Sequence, residues 1–138
     1  MKAAVYHLQL NVGDPAVSLP FYRQLLGYLE YRAVHDEGGV AGFTNGTTDL
    51  WLIATAERFA PDGFHRKRTG LNHLAFRVPR REDVDRFREE FLRPRAIPEL
   101  YGTPREFPEY RPGYYAVFFE DPDRLKLEVA HVPGPGAA

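Results

Sequence analysis

The chain reads as an α+β protein in which one β-α-β-β-β plan is used twice, and three observations predict it. The strings His7-Leu8-Gln9-Leu10-Asn11-Val12 and His73-Leu74-Ala75-Phe76-Arg77-Val78 are near copies, each alternating a polar face led by His with an apolar face of Leu, Phe and Val. An amphipathic helical stretch follows each string. Each half then closes on short strands divided by Gly, Pro and Asp turns, the last of which, Leu125-Lys126-Leu127-Glu128-Val129, again alternates.

In chain order, the first strand leads to Asp14-Pro15, a helix start with an N-cap acceptor and Pro at the first helical position. Val17, Phe21 and Leu25 fall on one face before Gly27, and Pro20 inside the run is expected to kink it or shorten its first turn. Strands follow over Leu29 to Asp36, Val40 to Asn45 and Asp49 to Thr55, joined at Gly38-Gly39 and Asn45-Gly46. Residues 56–69, with Pro61, Asp62, Gly63 and the basic run Arg66-Lys67-Arg68, read as a solvated linker.

The second half repeats the order. The His73 strand is followed by a helix over Glu82 to Arg93 with Val84, Phe87 and Phe91 as its stripe, then by a Pro-broken strand near Ile97 to Tyr101 and a long loop from Thr103 to Gly113. A hairpin pairs Tyr114 to Glu120 with Leu125 to His131 around Asp121-Pro122-Asp123. The 138 residues therefore form a single domain, 1–138, made of module 1 (1–55), the linker (56–69) and module 2 (70–132). Matching the ends of the halves sets Leu125 against Leu50, Leu127 against Leu52 and Glu128 against Ile53.

With 18 basic and 19 acidic residues the formal net charge is −1, which gives no overall field for nucleic acid or anionic lipid. No apolar run approaches the roughly 20 residues of a membrane span, and Cys is absent, which removes disulfides, thiolate ligands and Cys nucleophiles. The expectation is a soluble, cytoplasmic protein that acts on a small molecule.

His7, His73 and Glu128 share a parity on three strands of the same build, and two imidazoles with one carboxylate are a metal set. A carboxylate on a sheet face loses hydration unless it meets donors or a cation, and such a set suits Fe, Mn, Zn, Ni or Co. Parity also puts Gln9, Asn11, Trp51, Ile53, Ala75, Arg77 and Lys126 on that face, with Ala116, Phe118 and Tyr114 looking across at Glu128. Trp51 and Phe118 fit core and pocket wall equally, and Gln9 and Arg77 fit hydrogen bonding within the sheet as well as substrate contact. Tyr101, Arg105, Tyr110 and Arg111 lie in the long loop, as a lid or as a solvated segment. His35, His65 and His131 fall off the pattern and read as ordinary surface or edge residues.

Taken together, the His-led strands, Phe21-Tyr22-Arg23-Gln24-Leu25-Leu26-Gly27 and Phe118-Phe119-Glu120-Asp121-Pro122-Asp123 leading to Leu127-Glu128 resemble the vicinal oxygen chelate superfamily over residues 3–132. That group holds glyoxalase I, extradiol dioxygenases, fosfomycin-resistance transferases, methylmalonyl-CoA epimerase and bleomycin-binding proteins. The resemblance implies two modules in a curled mixed sheet around one divalent metal per site, held here by His7, His73 and Glu128. Where glyoxalase I and the epimerase supply a fourth protein ligand this chain has Ile53, which implies three protein ligands and open positions for two adjacent substrate oxygens. Arg111-Pro112-Gly113-Tyr114-Tyr115-Ala116 stands where the fosfomycin enzymes carry a Ser-, Lys- and Tyr-bearing stretch, which argues against that substrate. Phe118 stands where extradiol dioxygenases place a Tyr, and Arg124 replaces the Gly that commonly closes the Asp-Pro-Asp turn, which implies a different turn geometry.

The expected function is a metal-dependent lyase, isomerase or dioxygenase, with Gln9, Trp51, Ile53, Arg77 and Phe118 as substrate contacts. Tyr114 is the candidate base, provided its pKa is lowered. The alternative is a metal-free binding protein of the bleomycin-resistance type. Large apolar strand faces in so small a chain, and the family's habit of pairing modules between subunits, predict a homodimer in which His7 meets His73 and Glu128 of its partner.

Overall fold

The structure, a computed structural model, describes residues 1–134. The chain forms two compact units, Met1–Gly63 and a second from Phe64 onward, and the boundary falls within the stretch read as a linker. That stretch holds a short 3-10 helix, Glu57–Asp62, with no buried residue. Among the described residues no helix is long and apolar enough to cross a membrane.

The first unit runs β1 (His7–Val12), α1 (Pro15–Tyr28), β2 (Arg32–Glu37), β3 (Val40–Thr44) and β4 (Asp49–Ala54), with sheet order β1-β4-β3-β2. Asp14 caps α1 by accepting from the Ala16 N–H at 2.9 Å, and Pro15 supplies the first helical position without wasting a donor. The helix runs on through Pro20 to Tyr28, so its first turn is not shortened. Its buried face is Ser18, Leu19, Tyr22, Leu25 and Leu26. Of the expected Val17-Phe21-Leu25 stripe only Leu25 is on that face: Val17 is 54% exposed and Phe21 half-buried, because the buried face sinks Tyr22 and three Leu side chains, Leu25 among them. Leu29 and Glu30 close the helix instead of opening a strand, with Glu30 in the left-handed region at φ 64° and the Tyr31 N–H bonded to the Leu26 carbonyl. β2 accordingly begins only at Arg32.

The crossover through α1 lets β1 and β4 pair in parallel, whereas β2, β3 and β4 are joined by tight antiparallel turns. At the first turn Gly38 and Gly39 have φ 61° and 78°, the two positive values that a two-residue hairpin with the right twist demands.

The second unit runs β5 (His73–Val78), α2 (Arg81–Phe87), β6 (Leu100–Glu106), β7 (Tyr115–Glu120) and β8 (Lys126–His131), with order β5-β8-β7-β6. After α2 the backbone loosens into a π turn, Arg88–Leu92, and tightens into a 3-10 turn, Arg93–Arg95. Val84, Phe87 and Phe91 are buried as the spacing predicts, Phe87 stacking on Phe91 at 5.1 Å and meeting Phe119 at 5.3 Å. β6 extends into what reads in sequence as loop, and a register shift between Leu100 and Arg105 breaks its ladder. Arg124 takes φ 65°, the backbone conformation that favours Gly, while Asp121 Oδ1 accepts from the Asp123 and Leu125 N–H groups. The turn thus keeps its Gly-type conformation with Arg in place.

Register corrects the matching of the halves. His7 pairs with Asp49 and Gln9 with Trp51, while His73 pairs with Lys126 and Ala75 with Glu128. With the two His strands superposed, Trp51 is the counterpart of Glu128, and Ile53 corresponds to Ala130. Matching by chain ends slides the register by two residues, which preserves the face and so leaves no trace in the hydrophobic pattern.

Candidate functional site

β8 delivers Glu128 to the face opposite α2, beside Ala75 on β5 and Phe118 on β7. Only 1% of Glu128 is exposed, so its charge depends on what its neighbours supply. The Tyr114 hydroxyl, just ahead of β7, donates to Glu128 Oε1 at 2.6 Å. His73, at the head of β5, puts Nε2 3.3 Å from Glu128 Oε2. The other ring nitrogen, Nδ1, lies 2.8 Å from Asn72 Oδ1. With Asn72 accepting from Nδ1–H, the Nε2 lone pair faces a carboxylate oxygen, and two such donors repel unless a proton or a cation lies between them.

These residues open into a cleft of about 550 Å³ lined by His73, Tyr101, Arg105, Phe107, Tyr110, Tyr114, Phe118, Lys126 and Glu128. An apolar cluster of Phe107, Ala116, Phe118 and Ala130 backs it, with Leu100, Tyr114 and Val132 packed alongside. Burial, reinforced by the bond to Glu128, pushes the Tyr114 phenol above its ordinary value. That direction is opposite to the one a general base needs. In this geometry Tyr114 is a proton donor that holds Glu128.

The structure brings Phe118, Tyr114, His73 and Glu128 together. His7 heads β1 in the other unit, exposed, its ring edge-on to Tyr6 at 5.5 Å. Among the described residues no group of three His, Cys, Asp or Glu side chains forms a metal set. Gln9 is exposed next to Trp51, and Trp51 lies flat over Gly42, where any Cβ would come within 2.7 Å of the indole. Ile53 is half-buried between Asn11 and Val40.

Arg77 is not in the cleft: its guanidinium donates to the Val132 carbonyl at 2.7 Å and lines a separate, shallower hollow with His131 and Pro133. His35 and His65 are exposed, as expected, but His131 is half-buried with an Nδ1 that has no hydrogen-bond partner among the described residues. Tyr101 and Arg105 stand on β6, not in a loop, while Tyr110 and Arg111 lie beyond it. Phe107, which is outside the sequence-derived set, completes the cleft, and its one compositional signal is the density of aromatics between Tyr101 and Tyr115.

The glyoxalase/bleomycin resistance protein/dioxygenase superfamily model matches residues 4–129. Protein YqjT of Bacillus subtilis (strain 168), itself uncharacterized, is 33% identical over 125 residues, covering 91% of this chain and 96% of that one. A solved structure from Bacillus halodurans that bears a provisional glyoxalase name is 39% identical, with a TM-score of 0.84 over 93% of this chain and 95% of that chain. The lactoylglutathione lyase of Agrobacterium tumefaciens shares the fold at a TM-score of 0.68 and 22% identity, over 94% of each chain. The chain belongs to the glyoxalase/bleomycin resistance protein/dioxygenase superfamily.

Proposed function

We propose that this superfamily member is a divalent-metal-dependent enzyme acting on a small substrate that offers the metal two adjacent oxygens. The observation that carries the reading is the buried Glu128 carboxylate facing the His73 Nε2 at 3.3 Å, a pair of donors in want of a cation. That spacing is also close to the roughly 3 Å between neighbouring ligands that are each about 2.1 Å from one ion. His73, Glu128 and His7 of the partner subunit would hold the metal, which makes the active protein a homodimer. The donor set suits Fe, Mn, Zn, Ni or Co, and the bound ion would supply Lewis-acid stabilisation of a developing enolate or alkoxide, or an O2 site if it is iron.

The chain's own residues prepare that site. Tyr114 occupies Glu128 Oε1 and leaves Oε2 turned toward His73, and Asn72 fixes the imidazole so that Nε2 points inward. Phe107 and Phe118 wall the cleft and keep water from the carboxylate. Trp51, where a fourth ligand would stand in the first module, has no donor to offer a metal, so the open positions remain for substrate oxygens.

Elemental analysis of the purified protein, repeated on His7→Ala, His73→Ala and Glu128→Ala, tests the set. One metal per chain in the parent and a sharp loss in each variant is expected, and mixing His7→Ala with Glu128→Ala chains should recover part of the binding. Full stoichiometry in all three variants overturns the ligand set. A metal-free parent with an unchanged affinity for small aromatic ligands after metal addition favours the metal-free binding protein instead.

A further inference from the structure

The cleft holds the cations Arg105 and Lys126, and the second has no counter-ion among the described residues. Arg105 is stacked over Phe107 at 4.0 Å, donates to the Glu106 carbonyl and approaches Glu109 at 3.9 Å. Among the described residues Lys126 meets no carboxylate, and its ammonium lies over the rings of Tyr101 and Phe118 at 5.7 and 5.5 Å. Ring faces hold an ammonium less strongly than a carboxylate does, so a ligand anion can displace them.

A second observation points to the same place. Tyr101 reaches the cleft through a left-handed backbone, φ 59°, inside the β6 irregularity. Thr103 pins that segment, its hydroxyl donating to the Leu100 carbonyl at 2.7 Å and accepting from the Phe118 N–H at 3.0 Å. A non-Gly residue held in that region costs stability, and such residues gather at ligand sites.

We infer that Lys126 is a specificity-determining residue that pairs with a carboxylate on the substrate, and that the cleft takes a planar aromatic or conjugated acid. The inference rests on the proposed function for where the adjacent oxygens bind. Lys126 and Glu128 are two residues apart on one strand face, about 6.6 Å, so acid group and chelating oxygens sit at opposite sides of a single ring. Tyr101 and Phe118 then flank that ring.

Titration calorimetry of the Zn(II)-loaded protein with catechol and with 3,4-dihydroxybenzoate tests this in the parent, Lys126→Met and Lys126→Arg. The parent should bind the acid at least about tenfold more tightly than catechol. Lys126→Met should abolish that preference without weakening catechol, and Lys126→Arg should restore most of it. Equal affinity for both ligands in the parent, or a loss in Lys126→Met shared by both, overturns the inference. Benzoate, which has the anion but no adjacent oxygens, separates this reading from the metal reading. Binding to metal-free parent that Lys126→Met removes upholds the Lys126 contact even if catechol ignores the metal. Catechol affinity that depends on metal, with benzoate indifferent to Lys126→Met, keeps the metal and overturns Lys126.

Discussion

Replacing Tyr114 with Phe removes one oxygen atom and isolates what it does. The phenol makes a 2.6 Å hydrogen bond to a carboxylate that is 1% exposed, so water cannot take its place without opening the cleft. A bond to a buried charged group contributes about 1.5–3 kcal/mol, and removing only the donor leaves the acceptor with its desolvation uncompensated. The ring and its edge contacts to Phe107 and Tyr110, at 6.4 and 5.5 Å, remain, so no sizeable cavity opens. We expect Tyr114→Phe to cost about 2 kcal/mol in the presence of chelator, a fall of roughly 6 °C in Tm for a chain of this size. Tyr110→Phe is the control: Tyr110 is 62% exposed and its ring stacks on Phe107, so its variant should stay within about 0.5 kcal/mol of the parent. Adding Zn(II) should shrink the Tyr114→Phe penalty, because a cation on the carboxylate supplies the compensation the phenol had given. The measurement is urea or thermal unfolding with and without metal. A Tyr114→Phe cost no larger than that of Tyr110→Phe under chelator refutes the idea that Tyr114 sustains Glu128.

Two further perturbations probe each unit separately. Gly42→Ala places a methyl within 2.7 Å of the Trp51 indole, which has to move; a cost of about 1–3 kcal/mol and a shifted fluorescence from the chain's single Trp are expected, and an unchanged emission spectrum would contradict the packing. The Arg88 guanidinium, 2.5 Å from Glu99, holds the Glu99 carboxyl below its usual value, so this pair's contribution is whole above about pH 4.3 and fades as pH falls through the lowered pKa. Glu99→Gln should therefore flatten the acid limb of the stability profile by about 1 kcal/mol or less, since both side chains are partly exposed, with no change at neutral slope; a profile parallel to the parent between pH 5 and pH 3 would contradict it.

What was legible in the sequence is what a period of two or a turn residue encodes. The shared face of His73 and Glu128, the hairpin around Asp121-Pro122-Asp123 and the Val84-Phe87-Phe91 stripe all depend on short-range pattern alone, and the structure has them where that pattern puts them. The α1 face was not legible, because apolar residues lie around most of that helix and only packing against the sheet decides which side sinks. β6 is hidden by Gly102 and Pro104, which read as breakers, whereas the strand absorbs them in its irregular stretch. Matching chain ends points to Ile53 as the counterpart of Glu128 because a two-residue slide leaves parity untouched, and only pairing between β1 and β4 identifies Trp51.

That last correction bears on how many sites a chain with two similar halves can build. Both sheets open with a His, but the strand beside each His carries different chemistry: Asp49, Trp51 and Ile53 stand in the first unit where Lys126, Glu128 and Ala130 stand in the second. A carboxylate at the second of these positions can share a cation with the neighbouring His, and an indole cannot. At these positions the first half therefore carries an imidazole and an indole, and the second carries an imidazole, a buried carboxylate and the phenol that holds it. Duplication of the plan has not duplicated the donor set. Under the proposed function, one three-donor site per chain is the most these residues supply, with His7 coming from the partner subunit. The mixing of His7→Ala and Glu128→Ala chains thus carries a quantitative limit. If the partner subunit supplies His7, a mixed dimer pairs one intact set with one that lacks both, so recovered metal cannot exceed half that of the parent. Recovery above half would show a donor outside this set.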